Sequence, residues 1–250
     1  MNQRYRNLIA GEFRGCVENT IHRVINREDD HRPFHAALLS EEVLFWSAFE
    51  RSFSTSFGQR VIEEVARLVA LANGAESAER QKESYIRINT AQEGLIHRHL
   101  QDLRMGRQTT NWEETLQALR SVPFTTQFVD LRIISDLWWK KDGIDNFISL
   151  KTVKPNIDQT TVAKEDCLHL SIGVPGCNAF FGLPYNPFGE RREDYAFNPP
   201  MKIFDFHHDP VVLIGKEMWD TIGGEGCYEE LLAIATEVGI ETRAEIETLR

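Results

Sequence analysis

The pattern of apolar and polar positions changes near residue 120. Before that point the chain is rich in good helix formers and has few strand signals, which predicts a mainly helical region. Ser40, followed by two glutamates, is typical of a helix start. A further helix is predicted over residues 59–73, and its apolar face consists of Val61, Val65, Leu68, Val69 and Ala72. On this helix Glu64 flanks the apolar face, whereas Glu63 is expected to point away from it.

Beyond residue 120 the pattern predicts a β-hairpin. Residues 125–139 and 146–153 are rich in β-branched and aromatic side chains and are predicted as two strands. Asp142-Gly143 lies between them and is a strong hairpin signal, because both positions tolerate positive φ. The chain is therefore expected to turn back on itself at this dipeptide.

A helix and another strand are predicted after the hairpin. The helix covers residues 159–172, with Asn156 and Asp158 available as caps, and the strand covers residues 178–183. A strand, helix and strand in this order suggest a crossover connection between parallel strands, which is right-handed in nearly all known sheets. The segment therefore predicts a sheet with both parallel and antiparallel neighbours.

The remaining segments complete a prediction of the fold. Residues 184–200 are rich in Pro, Gly, Asn and charge, which predicts a long loop, and residues 211–214 predict a short strand before terminal helices. The expected class is α/β, with a central mixed sheet flanked by helices and a helical N-terminal region. We expect one domain over residues 1–250, composed of a helical region (1–120), a mixed-sheet core (121–215) and terminal helices (216–250).

Composition and charge narrow the class of protein. The amino terminus lacks the apolar core of a signal peptide, and no stretch is long enough to span a membrane, so we expect a cytoplasmic protein with no membrane partner. The four cysteines lack metal-binding spacing and are expected to be reduced thiols. A net charge of -10 disfavours general attraction to phosphates, so a DNA-binding protein of this composition needs a locally basic cleft.

The predicted hairpin brings polar side chains onto one face of the sheet. With the turn at residues 142–143, cross-strand partners have numbers that sum to about 285, which places Asp136 opposite Ser149. Strand alternation puts Lys151 on the same face as Ser149. Asp130 is a competing carboxylate, but it pairs outside this group. One carboxylate and one ammonium group are thus expected to lie close together.

This arrangement resembles the PD-(D/E)xK nucleases, in which an Asp on one strand and an acidic-x-Lys motif on the next bind metal and position water. Ser149 stands where the acidic residue is usually found. A minority of restriction endonucleases with Ser-x-Lys carry the missing glutamate on the following helix, and Glu165 lies at the same separation, 14 positions after Lys151. The resemblance implies a site of Asp136, Ser149, Lys151 and Glu165, with Asp166 as the alternative to Glu165.

Phosphodiester hydrolysis explains why these residue types are needed. The reaction requires neutralisation of a highly charged phosphate and activation of water, and hard oxygen ligands suit Mg²⁺. Asp136 and Glu165 are expected to hold Mg²⁺, with Glu64 as an additional carboxylate from the helix before the sheet. Lys151 is expected to orient or activate the attacking water.

Several stretches resemble the TdeIII-like family of type II restriction endonucleases. They cover about half of the chain in the expected order and read FERSFSTSFGQRVIEEVARL, FISLKTVKPNIDQT, FGLPYNPFG and LIGKEMWDTIGGEGCYEELL. The resemblance implies cleavage of double-stranded DNA at a short palindromic site, GGNCC or a relative. A twofold site is most simply read by a homodimer, which is therefore expected.

Further polar residues are candidates for DNA contacts. Lys154 and Asn156 lie in the loop that leaves the active strand, and Gln159 lies near the expected mouth of the site. Arg191 and Arg192 lie in the long loop, where guanidinium groups can read guanine edges. The alternatives are helix-start roles for the polar residues and ordinary solvated charges for the arginines.

Two other functions fit the same residues. One is a DNA repair nuclease or junction resolvase with the same core. The other is a catalytically inactive DNA-binding relative, because Ser149 replaces an acidic residue.

Overall fold

The computed structural model of the protein describes residues 1–26, 31–123 and 125–249. At its centre is a five-stranded sheet in which the strands lie in chain order. The strands are β1 (Ser77–Asn89), β2 (Phe128–Lys141), β3 (Ile144–Leu150), β4 (Asn178–Leu183) and β5 (Val212–Ile214). The first three strands pair antiparallel, and β4 and β5 continue in parallel. The prediction of an α/β fold with a mixed sheet is confirmed.

Helices surround this sheet and form the amino-terminal region, as expected. They are α1 (Gln3–Ile25), α2 (Pro33–Leu38), α3 (Glu41–Ser56), α4 (Ile62–Ala72), α5 (Thr90–Arg104), α6 (Trp112–Arg120), α7 (Ile157–Gly173), α8 (Asn198–Met201), α9 (Lys216–Gly223) and α10 (Cys227–Glu247). A π-helical turn, Phe57–Val61, joins α3 to α4. Within the described residues, no helix combines the length and apolar character that a membrane crossing requires.

The helix starts follow the capping residues. Ser40 caps α3 by accepting a hydrogen bond from the amide of Val43, 3.4 Å away. Asn156 caps α7, because its side chain accepts the amide of Gln159 at 2.8 Å, while the side chain of Gln159 accepts the amide of Asn156 at 3.2 Å. This reciprocal capping box satisfies two amides that have no partner within the helix. Of the two caps expected from the sequence, Asn156 is the one that is used, and α7 begins two residues before the predicted start at residue 159.

The β2–β3 hairpin has the predicted register. Asp142 and Gly143 have φ values of 52° and 75°, as a tight hairpin turn requires. Leu137 lies opposite Ile148, which is the pairing expected for a turn at this dipeptide. The register fixes which side chains of β2 and β3 share a face.

Strand β1 differs from the sequence prediction, which assigned residues 1–120 to a mainly helical region. Residues 77–85 alternate in exposure but include many Glu, Arg, Gln and Lys side chains, which are also good helix formers. Charged side chains are common on edge strands, because they prevent pairing with other chains. The pairing of β1 with β2 overrides the helix preference of these residues. Buried apolar side chains occur in β1 only at Ile86 and Ile88, so the strand lacks the apolar alternation that would have predicted it.

Two apolar clusters hold the sheet between helices. One cluster involves α5, α6 and α7 with Phe147 and Phe181, and the other involves α1, α4, α9 and α10 with Ile148 and Leu150. Neighbouring residues of β3 thus point into opposite clusters, as strand geometry requires.

Candidate active site

The carboxylate of Asp136 is the meeting point of several polar groups. Its Oδ2 accepts hydrogen bonds from the backbone amide of Leu150 at 2.7 Å and from Nζ of Lys151 at 3.0 Å. The hydroxyl of Ser149 lies 3.4 Å from the same oxygen. The other oxygen, Oδ1, accepts a hydrogen bond from the side chain of Gln81 at 3.2 Å. The predicted grouping of Asp136, Ser149 and Lys151 is present.

The fold explains why this carboxylate is available. The paired part of β2 and β3 ends at Leu137 and Ile148, so Asp136 is the first residue of β2 beyond it. The amide of Leu150 therefore bonds to the Asp136 side chain instead of to a neighbouring strand. The Asp136 side chain is 19% exposed and the Lys151 side chain 24% exposed, which leaves both accessible to a ligand.

Gln81 links this carboxylate to α4. It lies on β1 between residues that pair with Ser135 and Leu137, and thus faces Asp136. Its Nε2 also donates to Glu63, 3.1 Å away. Gln81 and Asp142 are the non-glycine residues with positive φ among those described, and Gln81 has a φ of 49°. A strained backbone persists only where its surroundings hold it, and it often marks a functional site.

The two glutamates of α4 have different surroundings. Burial raises the pKa of Glu63, and the nearby Asp136 raises it further, while hydrogen bonds from Gln81 and Arg80 oppose these effects. Glu63 was expected to point away from the apolar face of this helix, and strand β1, which the sequence did not predict, covers that side of α4 with Arg80 and Gln81. The carboxylate of Glu63, through Gln81, belongs to the group around Asp136.

Glu64, the additional carboxylate expected from the sequence, pairs with arginines. Its oxygens lie 2.6 Å from Nη2 of Arg67 and 3.3 Å from Nη1 of Arg80. Burial acts to raise the pKa of Glu64, but the hydrogen bonds from both arginines hold it below the ordinary value. The structure thus gives Glu64 cationic partners and brings Glu63 closer to Asp136.

The neighbouring carboxylates of α7 also diverge. Burial raises the pKa of Asp166 to about 6, with further increases from Glu165 and Asp136 and an opposing effect of Lys151. Among the described residues, the side chain of Asp166 has no hydrogen-bond or ion-pair partner. Glu165 instead lies 3.1 Å from Nε2 of His97. The electrostatic neighbours of Asp166 are thus the residues of the predicted site.

Glu165 belongs to a second polar cluster, between α5 and α7. The Nε2 atom of His97 is 3.0 Å from Glu93, and that of His169 is 2.6 Å from the other oxygen of Glu93. One ligand atom each from Glu93, Glu165 and His169 lies within 4.8 Å of the others. The sequence contains a signal for this cluster, because Glu-x3-His occurs at 93–97 and again at 165–169.

The predicted DNA contacts near the start of α7 have mixed surroundings. Lys154 is exposed, and its Nζ lies 5.3 Å from the ring centre of Phe188 in the 184–200 loop. Asn156 and Gln159 are also exposed, but their side chains form the capping box of α7. The ammonium group of Lys154 has no carboxylate within ion-pair distance among the described residues, so it is available for a phosphate.

The two arginines of the long loop differ strongly. Arg191 has a side chain that is 75% exposed and pairs with Asp194 at 3.0 Å. Arg192 is only 13% exposed, and it donates to the carbonyl groups of Phe206 at 2.7 Å and Asp209 at 2.5 Å. Its guanidinium holds the loop to the protein, so Arg191 is the member of the pair that faces solvent.

Comparisons with known proteins show which family the chain belongs to. Residues 1–239 match the family model HinfI, which is described as "Type II restriction endonuclease, HinfI". The match includes the hairpin, α7 and the long loop. No solved structure matches the chain.

Three named relatives come from Herpetosiphon aurantiacus. The type II restriction enzymes HgiEI and HgiBI are each 32% identical to the chain, and HgiCII is 31% identical. Each alignment has 230 residues and covers 89% of this chain and 82% of the relative. The chain belongs to the HinfI family of type II restriction endonucleases.

Proposed function

We propose that this protein is a type II restriction endonuclease that hydrolyses phosphodiester bonds in double-stranded DNA at the Asp136–Lys151 site. One observation carries this assignment within the family: Nζ of Lys151 and the amide of Leu150 converge on one carboxylate oxygen of Asp136. A cation and a carboxylate at the accessible end of a strand pair form a suitable place for phosphate chemistry. The same pattern supports membership of the PD-(D/E)xK superfamily, with the TdeIII-like enzymes as a resembling group.

The residues of the site fit a hard divalent cation. Asp136 offers carboxylate oxygens, and Asp166 is a second carboxylate whose oxygens make no hydrogen bond or ion pair with the described residues. Oxygen ligands of this kind are those that Mg²⁺ prefers, and it usually takes one or two carboxylates. When bound, Mg²⁺ supplies charge neutralisation at the phosphate and lowers the pKa of a coordinated water.

Lys151, Ser149 and Gln81 have different roles around Asp136. Lys151 holds a positive charge 3.0 Å from Asp136, where it can orient the attacking water and stabilise charge on the phosphate. Ser149 offers a hydroxyl instead of a carboxylate, so a second acidic ligand has to come from another element. Gln81 fixes the orientation of Asp136 from the opposite side.

The second acidic ligand is assigned to α7. Glu165 is the residue that the spacing from Lys151 favours, and Asp166 is the one with Asp136 and Lys151 among its electrostatic neighbours. Glu64 is the third candidate, and its two arginine partners make it the least available. The relative loss of cleavage in the three single variants decides between these positions.

DNA is expected to approach over the start of α7 and the 184–200 loop. Lys154 and Arg191 have exposed charged groups there, which suits contacts with phosphates or base edges. Asn156 and Gln159 can contact the DNA backbone from the start of α7. Arg192 holds the 184–200 loop in place through its hydrogen bond to the carbonyl of Phe206. The protein is proposed to act as a homodimer on a short palindromic site in cytoplasmic DNA, since a twofold protein matches a twofold site.

Digestion of plasmid DNA tests this proposal. The purified protein is incubated with plasmid DNA of mixed sequence and Mg²⁺, and in parallel with EDTA, and the fragment ends are sequenced. We expect discrete fragments with Mg²⁺, intact DNA with EDTA, and ends that share one short palindrome, GGNCC or a relative. Structure-dependent nicking without discrete fragments would indicate a junction resolvase, and intact DNA in the presence of Mg²⁺ would indicate an inactive relative. Either result would overturn the proposal.

A further inference from the structure

The Glu93–His97–Glu165–His169 cluster, called here the helix-pair cluster, has no assigned role in the proposed cleavage of DNA except for Glu165, which is one candidate for the second acidic ligand. Glu93 and His97 are four residues apart on α5, and Glu165 and His169 are four residues apart on α7. Residues at this spacing share one face of a helix, and the two helices pack against each other. Two equivalent Glu-His pairs therefore face one another across the helix interface.

The contacts in this cluster cross from one helix to the other. His97 of α5 approaches Glu165 of α7 at 3.1 Å, and His169 of α7 approaches Glu93 of α5 at 2.6 Å. In both histidines the nitrogen that faces the carboxylates is Nε2. Oxygen and nitrogen atoms that can bind metal thus converge from two rigid elements.

The dimensions and burial suit a small divalent metal ion. Ligand atoms of Glu93, Glu165 and His169 all lie within 4.8 Å of one another. Zinc bonds of about 2.0 to 2.2 Å in a tetrahedral site place the ligand atoms about 3.3 to 3.6 Å apart, so small side-chain movements suffice. His169 is 5% exposed and anchors the inner side, while the His97 side chain is 61% exposed and lies on the solvent side.

We propose that the helix-pair cluster binds a divalent transition metal, with Glu93, Glu165 and His169 as ligands and His97 as the fourth. Imidazole nitrogen favours Zn²⁺ and its neighbours in the first transition row, whereas the all-oxygen set at Asp136 suits Mg²⁺. Metal sites between packed helices are commonly built from Glu and His side chains on facing helices. The bound ion would tie α5 to α7 and so fix the helix that carries Asp166.

Binding of Co²⁺, a spectroscopic probe for zinc sites, tests this proposal without reference to DNA cleavage. The full-length protein is freed of metal and titrated with Co²⁺, and visible absorption is followed, with Zn²⁺ then added as a competitor. We expect one Co²⁺ per chain in this site, a tetrahedral absorption band, and loss of the band when Zn²⁺ is added. His169→Gln and Glu93→Gln are expected to weaken Co²⁺ binding by at least about 10-fold.

Matched variants make the test specific. His208 pairs with Asp205 at 2.9 Å elsewhere on the surface, so His208→Gln removes an equivalent His-carboxylate pair, and Asp136→Asn alters the cleavage site. Both are expected to keep the Co²⁺ band. If the buried His169→Gln variant does not fold, the exposed His97→Gln variant replaces it, with folding checked by circular dichroism.

Three results would overturn the proposal. One is an absence of Co²⁺ binding by the parent protein, which would make the cluster an ion-pair network. Another is a parental spectrum and affinity in a folded His169→Gln or His97→Gln variant. The third is loss of the band in Asp136→Asn, which would place the bound metal at the cleavage site.

Discussion

The site at Asp136 and the helix-pair cluster lie beside each other but differ in their elements and their chemistry. The first is built on strands and has one lysine among oxygen atoms, while the second is built on two helices and has two histidines between two glutamates. Adjacent residues of α7, Glu165 and Asp166, contribute to different groups because successive positions of a helix point about 100° apart. In the two proposals, neighbouring acidic residues of α7 therefore bind two metals with different preferences.

Removal of the lysine side chain at the Asp136 site is expected to have the largest effect on DNA cleavage. Lys151→Ala should reduce DNA cleavage by at least about 100-fold, because charge stabilisation at the reacting phosphate is lost. Lys140→Ala, on the same hairpin, is the matched control. Single-turnover cleavage measures both, and near-parental turnover in Lys151→Ala would remove Lys151 from the site.

Variants of Glu165 and Asp166 test whether the Asp136 site and the helix-pair cluster use different carboxylates of α7. Asp166→Asn is expected to reduce cleavage by about 100-fold, more than Glu165→Gln does, whereas Glu165→Gln is expected to weaken Co²⁺ binding more than Asp166→Asn does. Cleavage rates over a range of Mg²⁺ and Co²⁺ titrations measure the two effects. The opposite order in both assays would assign Glu165 to the cleavage site, as the spacing from Lys151 favours.

Substitution of the arginines in the 184–200 loop is expected to have smaller effects, which differ between the two residues. Arg191→Ala is expected to lower discrimination between DNA sites by about 1 to 3 kcal/mol and to leave stability nearly unchanged. Arg192→Ala is expected to lower the free energy of unfolding by about 1 to 3 kcal/mol, because it leaves the carbonyls of Phe206 and Asp209 without their donor. Cleavage of cognate and altered sites, together with urea denaturation, distinguishes the two residues. Equal effects of both variants on discrimination would contradict this separation.

The smallest expected effect concerns Gln81. Gln81→Ala should raise the Mg²⁺ concentration for half-maximal cleavage by about 10-fold, because Asp136 loses a group that orients it. Gln81→Gly should show the same loss but be more stable than Gln81→Ala by about 1 kcal/mol, since glycine accepts the positive φ without strain. Equal stabilities of the two variants would argue against backbone strain at this position.

The two sites also differ in how far the sequence could predict them. The hairpin turn at Asp142-Gly143 sets the register, and this register alone was enough to bring Asp136, Ser149 and Lys151 together. In contrast, β1 could not be predicted, because its first half has a helix-like composition and becomes a strand only through its pairing with β2.

The missing strand explains the other differences from the sequence prediction. Without β1, Gln81 had no place beside Asp136, and the side of α4 that carries Glu63 had no partner. The choice between Glu165 and Asp166 depends on how α5 packs on α7, a contact between distant parts of the chain. The repeated Glu-x3-His spacing was visible in the sequence, but only the packing places the two copies opposite each other.

The most direct test of the proposed cleavage site compares two aspartates on β2. Asp136 contacts Lys151, whereas Asp130 is an exposed residue of the same strand that pairs with Arg87 at 2.6 Å. The measurement is the single-turnover rate of plasmid cleavage with Mg²⁺ by the parent, Asp136→Ala and Asp130→Ala. We expect Asp136→Ala to lose at least about 100-fold in rate and Asp130→Ala to cut like the parent. Parental cleavage by folded Asp136→Ala protein would contradict the assignment of the site.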